Sequence, residues 1–346
     1  MRPEYPATAR QDIVEDLHGH SVADPYRWLE DPHSEATKSW SAAQDGLFAD
    51  RRDTWPGRNG LRARLTSLFG AGMIDAPVWR GERRFFMRRS AEQEHAVLLC
   101  IDADGSERTL LDPMAMDASG LTTLDAWQPS KDGTLLAYQV SEGGTEESVL
   151  RVLDVASGAL VDGPIDRARY SPVAWLPGSA AYYYVRRLPP GSVPADEDQY
   201  HRRIYLHRVG TDPTEDVLIF GDGLDMTNYY GVSVSRDGRW LAVTANPGTA
   251  PANDLWLADL TTSPLEAPAL RMVQHDVDAS TGVEVGRDGR LYVFTDLDAP
   301  RGRLCVTTPE HPTAEHWVDL IAEDHEAVLD GYTFLDGPEL GDAPVL

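Results

Sequence analysis

The chain has 346 residues, 42% of them hydrophobic, and carries 31 Lys and Arg against 56 Asp and Glu, a formal charge of −25 with an isoelectric point near 4.6. Such an acidic chain repels nucleic-acid phosphates and anionic membranes, so neither is an expected partner. No run of about 18 apolar residues is present to form a membrane-crossing helix, and the opening MRPEYPATARQD lacks the apolar core of a signal peptide.

Residues 1–72 read as an N-terminal strap followed by helices. The stretch DPYRWLEDP, 24–32, packs two prolines, four charges and two large aromatics into nine residues. Pro25 and Pro32 fix the backbone locally, and Pro32 ends any turn begun by YRWLED, so the segment reads as a rigid docking piece. SEATKSWSAAQDGLFADRR then predicts a helix, with Ser34 as N-cap and Trp40, Ala43 and Leu47 at helical spacing. RNGLRARLTSLFG predicts a second helix, stopped by Gly70. Residues 51–90 hold ten arginines and only Asp53, Asp75 and Glu82 as acids. In so acidic a protein these arginines are expected to form a solvated helix face and to pair with acids elsewhere.

From 73 to 346 the pattern changes to short β-rich runs: RRFFMRR, AVLLCID, TLLAYQV, VLRVLDV, AAYYYVRR, RIYLHRVG, WLAVTA, DLWLADL, RLYVFTD and RLCVTTP. No long helix is expected between 130 and 310. The runs repeat as a turn followed by a strand, with turn glycines at Gly81, Gly133, Gly178, Gly238 and Gly289, spaced 52, 45, 60 and 51 residues apart. About fifty residues holding four short strands make one propeller blade. The expected fold is therefore mainly β, a β-propeller with about five blades. A sixth would begin at VLDGYTFLDGPEL, and the chain stops soon after at GDAPVL. An unclosed propeller would expose apolar faces and strand edges at its end blades, so self-association through them is expected.

Few residues advertise chemistry. Cys100 and Cys305 lie in apolar runs and read as two buried, reduced thiols, which points to a cytoplasmic setting. His18 and His20 lack further ligands, and His311 and His316 are not spaced as a zinc-protease pair, so all read as loop histidines. Asp132, Asp237 and Asp288 sit in hairpin turns, where they are expected to accept local backbone hydrogen bonds. Tyr182, Tyr183, Tyr184, Tyr229 and Tyr230 are expected to pack in the blades rather than line a channel. No catalytic, cofactor-binding or metal-binding residue is assigned.

The opening residues do carry a resemblance. Tyr5-Pro6, Asp16, His18-Gly19, Asp24-Pro25-Tyr26-Arg27-Trp28-Leu29-Glu30-Asp31 and the helix around Trp40 to Gln44 resemble the N-terminal signature of the prolyl oligopeptidase family of serine peptidases. The stretches 200–220 and 234–260 are similar to that family's propeller, so the resemblance spans essentially the whole chain. It implies a propeller of seven blades that covers the active site and admits only short peptides. It also implies that the opening helices pack on an α/β-hydrolase domain, with DPYRWLEDP as the strap that ties them there. The family's nucleophile should stand in a G-x-S-x-G elbow. The nearest match, GVSVS at 231–235, lacks the second glycine and precedes a strand, so no residue of the triad can be carried over. The chain is thus expected to be the N-terminal and propeller portion of a peptidase that cleaves short peptides after proline, inactive alone. Short proline-containing peptides are its expected partners once a hydrolase domain is supplied. The alternatives are a non-catalytic propeller that binds other proteins, and one chain of a split peptidase.

Overall fold

Two kinds of sequence produce two kinds of structure, in a computed structural model that describes residues 4–335 and 344–345. The chain divides into the units Met1–Gly72 and Met73–Leu346. In the first unit, β1 (Val14–Leu17) and β2 (His20–Ala23) form an antiparallel hairpin. Its two-residue turn is His18-Gly19, both with positive φ (55° and 82°), the geometry whose twist matches that of paired strands. Asp16 Oδ1 accepts from the Gly19 amide at 2.8 Å and closes the turn. The strap makes one 3₁₀ turn, Arg27–Glu30, which stops before Pro32. Helix α1 (Glu35–Arg52) begins at Ser34, whose Oγ accepts from the Thr37 amide at 3.2 Å. Helix α2 (Arg58–Phe69) ends at Gly70, though not through the left-handed backbone expected of a glycine stop. Gly70 has φ −72°, and a Cβ there would stand 2.9 Å from the Thr66 carbonyl, so closeness rather than handedness favours glycine.

The second unit is a five-bladed stretch of β-propeller. Blade 1 contains β3 (Met73–Ile74), β4 (Val78–Arg80), β5 (Arg83–Arg89), β6 (Val97–Ile101) and β7 (Glu107–Leu111); β3 and β4 both pair with β5. Blade 2 runs β8 (Thr122–Pro129), β9 (Leu135–Glu142), β10 (Val149–Asp154), β11 (Leu160–Ile165). Blade 3 runs β12 (Val173–Trp175), β13 (Ala181–Arg187), β14 (Arg202–Arg208), β15 (Val217–Phe220). Blade 4 runs β16 (Asn228–Val234), β17 (Trp240–Pro247), β18 (Asp254–Asp259), β19 (Arg271–Gln274). Blade 5 runs β20 (Thr281–Val285), β21 (Leu291–Thr295), β22 (Arg303–Thr307), β23 (Val318–Ile321). Apart from β3, which pairs antiparallel with β5, sequential strands within each blade pair antiparallel.

The core lies in the seams between blades. Side chains alternate across a strand, so each middle strand serves two seams at once. In β13, Tyr182 and Tyr184 turn toward blade 2 and pack with Leu150, Val152 and Ile165. Tyr183 and Val185 turn the other way and pack with Val232, Leu241 and Trp256 of blade 4. The same rule joins Phe85 and Leu98 to Leu136 across blades 1 and 2, and Trp240 and Leu255 to Leu291 and Cys305 across blades 4 and 5.

The end blades are bare only in part: Met73, Ile74 and Trp79 of blade 1 and Val318, Leu320 and Ile321 of blade 5 are exposed, as expected, while other apolar side chains of both are covered. On blade 1, Phe86, Val97 and Leu99 are buried in a cluster of their own. On blade 5, Tyr292 and Leu304 are buried, and the segment after β23 lays Phe334 against Tyr292 (ring centroids 4.6 Å apart) and Tyr332 against Phe294 (6.0 Å). Leu335 and Val345 form an antiparallel bridge; the rest of the expected sixth-blade turn, 336–343, lies outside the described residues.

Candidate functional site

The first hairpin turns of the blades converge. Gly81, Gly133, Gly178, Gly238 and Gly289 all have positive φ, between 57° and 79°, as a tight turn demands. Asp132, Asp237 and Asp288 each accept from the backbone amide two residues on, at 3.0, 3.0 and 3.2 Å. The Asp132 carboxyl is held at about 2: burial opposes its charge, but hydrogen bonds from Ser130, Thr134 and Ser179 outweigh it. Ser179 belongs to the next blade's turn, so this bond (2.8 Å) links turn to turn. A Cβ on Gly133 would stand 2.9 Å from the Arg80 carbonyl of blade 1, and one on Gly238 would overlap the Pro177 ring of blade 3.

Lys131 shows that these turns surround an axis. From the turn of blade 2 its Nζ donates to the Val234 and Ser235 carbonyls of blade 4, at 3.0 and 2.7 Å, passing over blade 3. Burial, with Arg80 next, drags its ammonium down to about 8; Asp237 opposes and Arg236 adds to the shift. Burial and Arg236 likewise lower Arg80. One end of the blade stack therefore carries interlocked turns and a group of close cations.

The opposite end carries the second hairpin loops and the blade-to-blade connections. A cleft of about 1030 Å³ opens there between blades 3 and 4, floored by Phe220 and Trp256 and rimmed by Asp222, Asp225, Asp254 and Asp276. Arg169, Tyr170, Arg187, Arg202 and Tyr229 gather at this end. Back toward the first-turn end, where it pairs with Tyr182, His207 of β14 lies wholly buried between two carboxylates: Nε2 is 2.8 Å from Asp162 of β11 and Nδ1 is 2.6 Å from Asp216. Tyr182 and Tyr184 donate to the same two carboxylates at 3.3 and 2.5 Å. Burial disfavours a charged imidazole, yet the carboxylates outweigh it and push His207 up to about 9. Nothing in sequence flagged this group, because its members come from three separated strands and turns and match no motif.

In the first unit the strap is tied by polar contacts. Arg27 Nε meets Asp24 at 2.5 Å and Glu30 at 3.2 Å, while its Nη2 pairs with Glu15. Trp28 Nε1 donates to the Ala9 carbonyl at 3.0 Å, Trp40 Nε1 to Thr8 Oγ1 at 2.9 Å, and the two indoles meet edge-on at 6.5 Å. Helix α2 has no buried residue; Leu61, Leu65, Leu68 and Phe69 are all exposed. Several of the expected arginine pairings form, among them Arg58 with Asp53 (3.3 Å), Arg83 with Asp102 (2.8 Å) and Arg88 with Glu107 (2.6 Å).

The remaining candidates take structural places. Cys100 and Cys305 are buried free thiols, and burial raises both, Cys305 to about 11. Tyr182, Tyr183, Tyr184 and Tyr230 are core residues, whereas Tyr229 is only partly buried. Ser233 sits inside β16 opposite Ala242, and Ser235 caps the following turn, so neither stands on a strand-to-helix elbow. His311 and His316 stack edge-on with centroids 5.0 Å apart. Among the described residues no group of three or more His, Cys, Asp or Glu side chains is arranged to hold a metal, and no helix is long and apolar enough to cross a membrane.

Residues 5–337 match the family model of the prolyl oligopeptidase N-terminal β-propeller domain. The chain is 33% identical to a prolyl endopeptidase of Elizabethkingia meningoseptica, over 93% of this chain and 45% of that protein. It is 24% identical to prolyl oligopeptidase A of Amanita bisporigera, over 94% and 47%. A solved structure from an analysis of two prolyl endopeptidases superposes with a TM-score of 0.83 at 33% identity, covering 93% of this chain and 47% of that one. Prolyl oligopeptidase B of Galerina marginata, at 22% identity and a TM-score of 0.81, shares the fold. The chain spans about half the length of the curated relatives it matches.

Proposed function

We propose, from the premise that this chain belongs to the prolyl oligopeptidase family, that it is the N-terminal and propeller portion of a serine endopeptidase acting on short peptides after proline. The observation that carries this reading is the match over residues 5–337, joined to relatives of twice the length that are themselves prolyl endopeptidases. In this reading the chain supplies no nucleophile. The interlocked first turns, pinned by Lys131, restrict what passes along the propeller axis, so that only a slender, extended peptide is admitted. The exposed apolar side of α2, with the strap, docks on the α/β-hydrolase domain that holds the triad. The buried reduced thiols favour a cytoplasmic setting.

The test is to assay the purified chain on a chromogenic Xaa-Pro substrate, alone and after mixing with the hydrolase half of the Elizabethkingia enzyme. We expect no turnover alone and binding of the hydrolase half in the mixture. Reproducible cleavage by the chain alone, abolished by a serine-directed inhibitor, would refute the assignment. Failure of the two halves to associate would remove the docking role of α2.

A further inference from the structure

At the loop end of blades 2 to 4, four side chains form a continuous stack. Arg169 lies over the Tyr170 ring, 5.0 Å from its centroid. Tyr170 meets Tyr229 at 6.1 Å, and Arg202 Cζ lies over the Tyr229 ring, 3.8 Å from its centroid. The stack runs inward from Tyr170, which is 54% exposed, to Arg202, which is 2% exposed. Arg187, also buried, stands close enough to be felt electrostatically.

The charges here do not balance. Arg169 pairs with Glu146 at 2.5 Å, and Arg187 pairs with Glu147. Both glutamates are about half exposed. Among the described residues Arg202 meets no carboxylate, and its Nε and Nη1 are buried without a hydrogen-bond partner. Burial lowers its affinity for a proton; Tyr229 opposes, while Arg187 and Arg169 add to the lowering. A guanidinium does not respond by losing its charge, so it calls for an anion. In a chain of net charge −25, that anion has been withheld from the spot where it is most needed.

We propose that Arg202, with Arg169 and Arg187, binds a carboxylate of the peptide ligand, admitted past Tyr170, so that this propeller favours peptides bearing an acidic residue. Three arginines against two glutamates leave one positive charge, which suits a monoanionic carboxylate better than a phosphate. A guanidinium already held over an aromatic ring loses little freedom on binding. The flanking tyrosines offer the apolar surface that a peptide backbone beside the acid would cover. The proposal deepens the peptide-handling reading above and rests on it.

The experiment titrates the full chain with acetyl-Glu-Gly-Pro-amide and acetyl-Gln-Gly-Pro-amide by calorimetry, and separately measures melting in sodium acetate against sodium chloride at one ionic strength. Wild type should bind the Glu peptide about tenfold or more tightly than the Gln peptide, as loss of a charge-assisted contact implies. Arg202→Gln should erase that preference. Arg169→Gln, at the part-exposed lip, should weaken it and serves if Arg202→Gln does not fold; Arg208→Gln, in an exposed pair with Glu266, should leave it intact. Equal binding of the two peptides, or a preference that survives in both Arg202→Gln and Arg169→Gln, overturns the proposal. If neither peptide binds but acetate raises the melting temperature of wild type and not of Arg169→Gln, the carboxylate site stands and the peptide reading falls. If neither peptide binds and acetate has no such effect, the site itself is refuted.

Discussion

The two units use their apolar residues in opposite ways. In the propeller, alternate residues of one strand fill two seams, and Tyr182, Tyr183 and Tyr184 are all fully buried. In the first unit, α2 buries nothing, and the large side chains Phe48, Trp55, Leu61 and Phe69 stand exposed. The propeller blades are organised by burial, the first unit by local bonds: the Ser34 cap, the Asp16 turn, the Arg27 cluster and two indole hydrogen bonds. The exposed apolar side chains of α2 are the surface that the docking role proposed above would use.

This contrast can be broken most sharply in a seam. Tyr183→Ala should lower the unfolding free energy of the full chain by about 3–5 kcal/mol, the usual cost of a buried aromatic truncation, read from a urea midpoint by circular dichroism. A loss below 1 kcal/mol would mean that the seams do not hold the blades. The His207 tie gives the next effect. Its folded value of about 9 lies above the unfolded value near 6.5, so its contribution is complete below pH 6.5 and is lost as pH rises toward 9. The difference between wild type and His207→Asn should therefore shrink by on the order of 3 kcal/mol across that window; a difference that stays flat would show the imidazole to be neutral. Gly133→Ala meets both a positive φ and the Arg80 carbonyl, and should cost about 1–3 kcal/mol. Leu65→Ser, on the exposed side of α2, should change stability by less than about 0.5 kcal/mol yet weaken capture of the hydrolase half. A large stability loss there would mean that α2 already has its partner.

What could be read from sequence follows the same physics. All ten runs named as strands fall on the second or third strand of a blade, where both faces are buried and the composition turns apolar and β-branched. The outer strands went largely unseen. Thr122–Pro129, Leu160–Ile165 and Arg271–Gln274 are short or mixed in character, because one edge or face meets solvent or a turn. The turn glycines and aspartates were legible because their role is local. Arg202 and His207 were not, since a guanidinium lacking a carboxylate and an imidazole held by two exist only once distant strands are side by side. Helix boundaries came close, with Gly70 right in place and wrong in handedness.

Lys131 has a mechanical meaning. By holding the carbonyls of residues two blades away, it acts as a strut that spans blade 3 and braces blades 2 and 4 against each other. A blade held between braced neighbours cannot swing outward alone; it leaves only if the strut is released or all three move together. Under force or protease, then, the weak joints should be the connection at 112–121 and the one at 275–280, on either side of the braced trio, rather than the connections within it.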